Sequence, residues 1–227
     1  MIKLLIILPA YNEEKVIGKV LKSLPRKINQ IIKVDLLVVD DGSTDDTQEI
    51  CRSCNVLVIH HLINRGLGAA LCTGFTYAVN HHYNYVVTFD ADGQHSPSDI
   101  GRLLKPLLSK TADVVIGSRM LNLQSMPLTR RFVNFFSNLI TLLFYKIWTT
   151  DSQSGLRGFT LSALQKIRVR TQRMEVSSEI FKEISRHHLI FAEVPISSLY
   201  TNYSLQKGQR ITNAPNVFYK LLLNNFR

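Results

Sequence analysis

The chain has 227 residues, 45% of them hydrophobic and 19% charged, which suits one domain with a sizeable core and excludes bulk disorder. Its net charge of +10 is lopsided: residues 1–101 hold 9 Lys/Arg against 11 Asp/Glu, and residues 102–227 hold 18 against 6. A basic C-terminal half calls for an anionic contact (nucleic acid, an acidic lipid surface or substrate phosphates), and three scattered cysteines exclude a disulfide scaffold and point to a reducing compartment.

Short apolar runs alternate with helical patterns. Residues 4–8 read as a buried first strand, and the segment lacks the longer apolar core and cleavage site of a signal peptide. A helix at 13–24, a strand at 36–39, a helix starting at 45 behind Ser43-Thr44-Asp45, and a strand at 56–59 follow. Then come a helix at 68–80, a strand at 85–89, a helix at 97–108 behind Ser96-Pro97, and a strand at 113–116. Val/Ile/Leu runs without alternation suit strands covered on both faces, so the expected class is α/β with a mainly parallel central sheet flanked by helices. After residue 120 the pattern gives a long apolar helix at 130–148, a loop at 151–158, a polar helix at 176–186, a strand at 191–196 and an amphipathic helix at 216–227. No Gly-, Ser- or Pro-rich linker divides the chain, so 1–227 reads as a single domain.

In open α/β sheets, ligands bind beyond the C-terminal ends of the strands. Polar clusters fall at four such ends: Pro9-Ala10-Tyr11-Asn12-Glu13-Glu14, Asp40-Asp41-Gly42-Ser43, Asp90-Ala91-Asp92-Gly93-Gln94-His95 and Gly117-Ser118-Arg119. Asp90 and Asp92, one residue apart just past a strand, can hold Mg²⁺ or Mn²⁺ together with substrate phosphates, with Gln94 as a carbonyl ligand and His95 as a nitrogen one. Such a cation stabilises a diphosphate leaving group. Asn64-Arg65-Gly66-Leu67-Gly68 lacks the Gly-Lys-Ser/Thr of a Walker loop, and Arg65 is placed to face a donor. Cys51-x-x-Cys54 and the pairs His60-His61, His81-His82 and His187-His188 read as packing or surface residues.

In the apolar helix, Arg130, Asn134, Asn138, Thr141 and Tyr145 share one face, and nearly everything else is apolar. That suits a helix lying in a membrane interface or between two protomers; an ordinary core helix is the alternative. No stretch reaches the about 20 apolar residues needed to span a bilayer.

The ordered set L-P-A-Y-N-E-E (8–14), V-V-D-D-G-S-T-D-D-T (38–47), N-R-G-L-G (64–68), D-A-D-G-Q-H (90–95), G-S-R (117–119) and D-S-Q-S-G-L-R-G-F (151–159) resembles glycosyltransferase family 2. Within that family the resemblance is to the dolichyl- and polyprenyl-phosphate mannosyl- and glucosyltransferases. It implies a GT-A fold, a nucleotide-sugar donor (GDP-mannose or UDP-glucose), Mg²⁺ or Mn²⁺, inversion at the sugar carbon and a polyprenyl or dolichyl phosphate acceptor. By the same resemblance Pro9, Tyr11, Glu13 and Asp40 contact the nucleoside, with Asp41, Arg65 and Ala91 completing the donor site and Arg210 reaching the diphosphate. Asp90, Asp92 and Gln94 form the metal site. Arg119, Arg130 and Asn134 take the lipid phosphate, and Asp92, Arg119 and Asp151 are the expected catalytic set.

A sugar-hydroxyl acceptor usually needs a general base, but the acids after residue 101 are isolated: Asp113, Asp151, Glu175, Glu179, Glu183 and Glu193. A lipid monophosphate, with a second pKa of about 6, needs none. It needs cations, for which Arg119, Arg130, Arg131 and Arg157 are available. Asp151 and Glu179 stay open as bases for a saccharide or protein acceptor. The chain lacks an aromatic-basic nucleic-acid motif, so no nucleic acid is expected. The expected setting is the cytoplasmic face of a membrane, as a homo-oligomer or with an anchoring partner subunit.

Overall fold

The computed structural model describes residues 1–122 and 128–198, with the backbone alone for 128–130 and 133. Arg210 and the expected helix at 216–227 lie outside the described residues, as does the Arg130 side chain.

The elements run β1 (Ile2–Ala10), α1 (Ile17–Ser23), β2 (Lys27–Ile28), β3 (Ile32–Asp40), α2 (Thr47–Ser53), β4 (Leu57–His60), α3 (Leu67–Asn80), β5 (Tyr85–Thr88), α4 (Asp99–Leu108), β6 (Val114–Ser118), α5 (Leu128–Tyr145), β7 (Arg157–Thr160), α6 (Leu161–Lys166), α7 (Val176–Arg186) and β8 (Phe191–Pro195). One sheet joins the strands in the order β2-β3-β1-β5-β7-β6-β8, and β4 also pairs with β3. Pairs β1–β3, β1–β5, β3–β4 and β6–β8 are parallel, while β7 runs antiparallel between β5 and β6.

Side chains of β1 explain why the run is unbroken. Leu4, Ile6 and Leu8 enter the core layer that includes residues of α1 and α4, whereas Leu5 and Ile7 enter the opposite layer with residues of α3, α6 and α7. Alternate residues of a strand face opposite ways, and both faces here are covered, so every position must be apolar.

The mainly parallel α/β expectation holds, with three departures. The loop expected at 151–158 gives way at Arg157 to β7, which with β2 and α6 was not anticipated. Helix α1 starts at Ile17, not residue 13, and α4 is preceded by Ser98 rather than Ser96. The third departure concerns α5. Its polar residues Asn134, Asn138, Thr141 and Tyr145 are buried, while Phe132 (67% exposed), Phe136 (60%), Leu143 (60%) and Trp148 (65%) just beyond it face outward. Among the described residues the stripe therefore turns into the protein and the apolar surface away from it.

Candidate active site

The C-terminal ends of β1, β3, β5 and β6 share one rim, because these four strands are parallel in the sheet. The antiparallel β7 brings its first residue, Arg157, to the same rim, level with Thr88 of β5 and Ile116 of β6.

At the β1–β3 corner, the loops are laced together. The Asn12 backbone N–H donates to Ser43 Oγ at 2.9 Å, Thr44 N–H donates to Asn12 Oδ1 at 2.8 Å, and Glu13 N–H donates to Thr47 Oγ1 at 2.7 Å. Asp40 is fully buried and accepts from Ser43 Oγ (2.5 Å), Ser43 N–H (3.1 Å) and His60 Nδ1 (2.8 Å). Asp41 accepts from His61 Nδ1 (2.7 Å) and from the backbone N–H groups of Arg65 (3.0 Å) and Gly66 (2.6 Å), while His61 Nε2 meets Thr73 Oγ1 at 2.9 Å. Gly42 has φ +74, and a Cβ there would collide with the backbone of Ile63 and Asn64, so only glycine lets the two turns meet. Asp41 thus shapes this corner by fixing the turn that carries Arg65; its carboxylate faces the protein. The His60-His61 pair, expected as surface or packing residues, instead holds the two aspartates. Their separation of 20 residues hides that in sequence. Tyr11 and Arg65 are exposed at this corner, Pro9 is half-buried, and Glu13 and Ala91 are buried.

The D-x-D follows β5. Asp90, with its side chain 38% exposed, accepts from His95 Nε2 at 2.9 Å. Burial opposes its ionisation, yet the His95 hydrogen bond and the positive charge of His95, Arg119 and Arg157 outweigh this and hold its carboxyl below the ordinary value. Asp92 goes the other way: burial first, then the charge of Asp90, push it up against the pull of the Gln94 N–H. Gln94 donates to Asp92 twice, through its backbone N–H (3.0 Å) and its side-chain amide. Gly155 lies so close that a Cβ would overlap both Asp90 carboxylate oxygens, and its carbonyl accepts from Thr88 Oγ1 at 2.6 Å. The D-S-Q-S-G stretch is therefore a wall of the D-x-D site.

Two adjacent carboxylates, one raised by the other's charge, form a donor set that a divalent cation would relieve. Among the described residues no cluster of three or more His, Cys, Asp or Glu side chains could hold an ion alone. A hard cation completed by substrate phosphates requires only one or two carboxylates.

Arg119, 14% exposed on its side chain, is locked onto the fully buried Asp151. Its Nε donates to Oδ2 at 2.7 Å, its Nη2 to Oδ1 at 2.8 Å, and its backbone N–H to Oδ2 at 2.9 Å. Both oxygens of the Asp151 carboxylate are therefore engaged by the arginine. Glu179, the other open base, accepts from Arg170 N–H, Thr171 N–H and Thr171 Oγ1. Arg157 is buried and donates to the carbonyls of Ser154 (2.7 Å) and Ser152 (3.2 Å) and to Ser177 Oγ (2.9 Å), so it braces the loop and does not reach out for a phosphate. Burial lowers its pKa to about 10 against the support of Asp90 and Asp151. Asn134 is buried and donates an amide N–H to the Thr150 carbonyl at 3.0 Å.

Comparison with known proteins points to one family. Residues 5–168 match the model of glycosyl transferase family 2. The chain is 36% identical over 240 residues to a UDP-N-acetylglucosamine–dolichyl-phosphate N-acetylglucosaminyltransferase of Methanococcus voltae, covering 96% of this chain and 94% of that one. It is 32% identical over 173 residues to an undecaprenyl-phosphate mannosyltransferase of Micrococcus luteus, covering 73% and 69%. The fold matches that of Mycobacterium tuberculosis glucosyl-3-phosphoglycerate synthase in complex with Mn²⁺, UDP and phosphoglyceric acid, with TM-score 0.76 at 18% identity over 98% of this chain and 78% of that one. With a GT-A sheet, a D-x-D at its rim and a family match across most of its length, the chain belongs to glycosyltransferase family 2.

Proposed function

We propose that this enzyme transfers a sugar from a nucleotide-diphosphate sugar to the phosphate of a polyprenyl or dolichyl lipid at a membrane surface. The observation that supports the reading is the state of three acids of the later half: Asp151 is locked to Arg119, and Glu179 and Glu193 are engaged with backbone N–H and side-chain donors. None is poised to deprotonate a sugar hydroxyl, and a phosphate dianion needs no base. Arg119 lies near enough to Asp90 to lower its pKa, so a phosphate on the arginine would sit beside the donor's reacting end. An acceptor phosphate oxygen attacks the anomeric carbon from the side opposite the nucleoside diphosphate, which inverts the configuration there.

Asp90 and Asp92 would hold Mg²⁺ or Mn²⁺, with Gln94 bracing Asp92. Bound there, the cation offsets the charge that gathers on the leaving diphosphate. His95 holds one Asp90 oxygen and Gly155 leaves room for both, so the chain itself sets that carboxylate's direction. Tyr11 faces out at the corner proposed for the nucleoside, with Glu13 and Asp40 buried beneath it.

Membrane contact is supported by the outward apolar face of α5 and the basic C-terminal half. No helix among the described residues is long and apolar enough to cross a membrane.

The test supplies labelled GDP-mannose, UDP-glucose and UDP-N-acetylglucosamine in turn, with Mg²⁺ or Mn²⁺ and undecaprenyl phosphate, followed by solvent extraction. Label entering the organic phase with one donor is the expected result. Label passing only to a saccharide or protein acceptor would overturn the lipid assignment.

A further inference from the structure

We propose that Glu193 and Asn138 are positioning residues for Arg119: they fix the Asp151 carboxylate that presents the arginine to the acceptor phosphate. The inference rests on the reading of Arg119 as a ligand of that phosphate. Neither residue stands out in the sequence, where Glu193 is an isolated acid in a strand and Asn138 one of several polar residues on a helix.

Glu193 lies on β8, in register with Ile116 of β6. Its carboxylate gathers donors from three consecutive residues. Oε1 accepts from Thr149 Oγ1 (2.7 Å), Thr150 N–H (2.9 Å) and Asp151 N–H (3.4 Å), and Oε2 from Thr150 N–H (3.1 Å) and Oγ1 (2.9 Å). Asn138 grips the same segment from α5. Its Nδ2 donates to the Thr150 carbonyl at 2.7 Å and its Oδ1 accepts from Ser152 N–H at 2.9 Å, so the amide brackets Asp151 on both sides.

An acid clamping a loop is common and would not itself imply function. Here the side-chain contacts of the clamped residue converge: among the described residues, all three donors to the Asp151 carboxylate belong to Arg119. A planar guanidinium held by two parallel bonds has its plane fixed, which a flexible arginine would otherwise pay for in entropy when it captures an anion. The grip is rooted in the sheet on one side and in the inner face of α5 on the other. The helix with the outward apolar face is thereby joined to the site's arginine through Asn138, Thr150 and Asp151.

Farnesyl phosphate serves as the probe, with its Kd measured by titration calorimetry alongside the Kd of UDP or GDP with Mg²⁺. Wild-type protein binds the probe and Arg119→Ala weakens it at least about tenfold. Glu193→Gln and Asn138→Leu each weaken the probe by about five- to tenfold, leave the nucleotide Kd within about twofold, and add nothing in the Arg119→Ala background. Asn138→Ser replaces Asn138→Leu if the latter does not fold, as judged by thermal melting. Losses that multiply with that of Arg119→Ala, or an equal loss of nucleotide affinity, would reduce both residues to scaffolding and overturn the inference. An Arg119→Ala protein that binds the probe like wild type would instead remove the acceptor reading beneath it.

Discussion

Asp90 and Asp92 stand one residue apart and are shifted in opposite directions, because His95, Arg119 and Arg157 attend the first while burial and then the charge of the first bear on the second. Removing the Asp92 charge should therefore matter to chemistry far more than to folding. Asp92→Asn is expected to lower turnover by about 10²–10³-fold, as loss of one group stabilising transition-state charge does, with little change in melting temperature. Turnover that survives both this substitution and EDTA would remove the metal from the reading. Gly155→Ala tests the same place by bulk. The added methyl must displace the Asp90 carboxylate, so activity should collapse alongside a loss of about 1–3 kcal/mol in stability, measured by urea unfolding. The C-x-x-C offers a contrasting case. Cys51 is buried and its thiol is pushed up to about 12, by burial first and then by the charges of Asp40 and Cys54. At pH 8 a thiol reagent should modify Cys54 and Cys72, both partly exposed, while Cys51 reacts only after unfolding. The sign for stability follows: the folded state keeps the Cys51 proton longer than the unfolded chain, so its contribution is full below pH 9 and declines as pH rises from there toward 12. Cys51 modified at the rate of an unfolded peptide would show that the corner opens.

The elements that sequence made legible are those with a local signature. Strands β1, β3 and β5 announce themselves as apolar runs covered on both faces, and the motifs at their ends follow from the sheet rule. Strand β7 does not, since Arg157-Gly158-Phe159-Thr160 owes its strand state to pairing with β5 and β6, and Gly158 is there because a Cβ would press on Leu107. The same holds for the contacts that organise the site. His60 reaches Asp40 across 20 residues, and Glu193 reaches Thr150 across 43, and no periodicity encodes such distances. For α5 the stripe was visible but not its direction, because an outward polar face and an inward polar face have the same spacing. The buried polar stripe is accounted for by the loop it holds, through Asn134 and Asn138 on the Thr150 carbonyl. Among the described residues nothing covers the outward face. Changing Phe135, Phe136 and Leu143 together to Ser should cost little stability, as is usual for surface positions away from special features. It should abolish sedimentation with vesicles and slow transfer to vesicle-borne acceptor, while transfer to detergent-solubilised acceptor persists. A large fall in melting temperature would mean that the face packs inside an assembly.

At the scale of the whole molecule, the charge partition and the sheet topology separate two tasks. The corner proposed for the nucleoside is built at β1 and β3, within the acidic first 101 residues, and the proposed acceptor side at β6, α5 and the loop before β7, within the basic remainder. Exposed Arg168, Arg170 and Arg173 belong to a segment that packs by its backbone on Gly66 and Gly68 at the start of α3, near exposed Arg65. Four arginines in one region attract an anionic surface, by about 1 kcal/mol per residue close to it, over a range set by the Debye length. Apolar contact through α5 does not depend on salt in this way. Vesicle binding should therefore have two components that can be separated. On vesicles with anionic lipid, raising salt from 0.05 to about 0.5 M should weaken binding by roughly one to two orders of magnitude. On neutral vesicles, binding should be weaker but almost insensitive to salt, and the triple Ser variant of α5 should lose that residue of affinity. Reversing Arg168, Arg170 and Arg173 to Glu should remove the salt-sensitive part alone. If instead these reversals leave the salt dependence intact, the anionic contact lies elsewhere on the basic half, and the segment beside α3 serves only to cover the helix start.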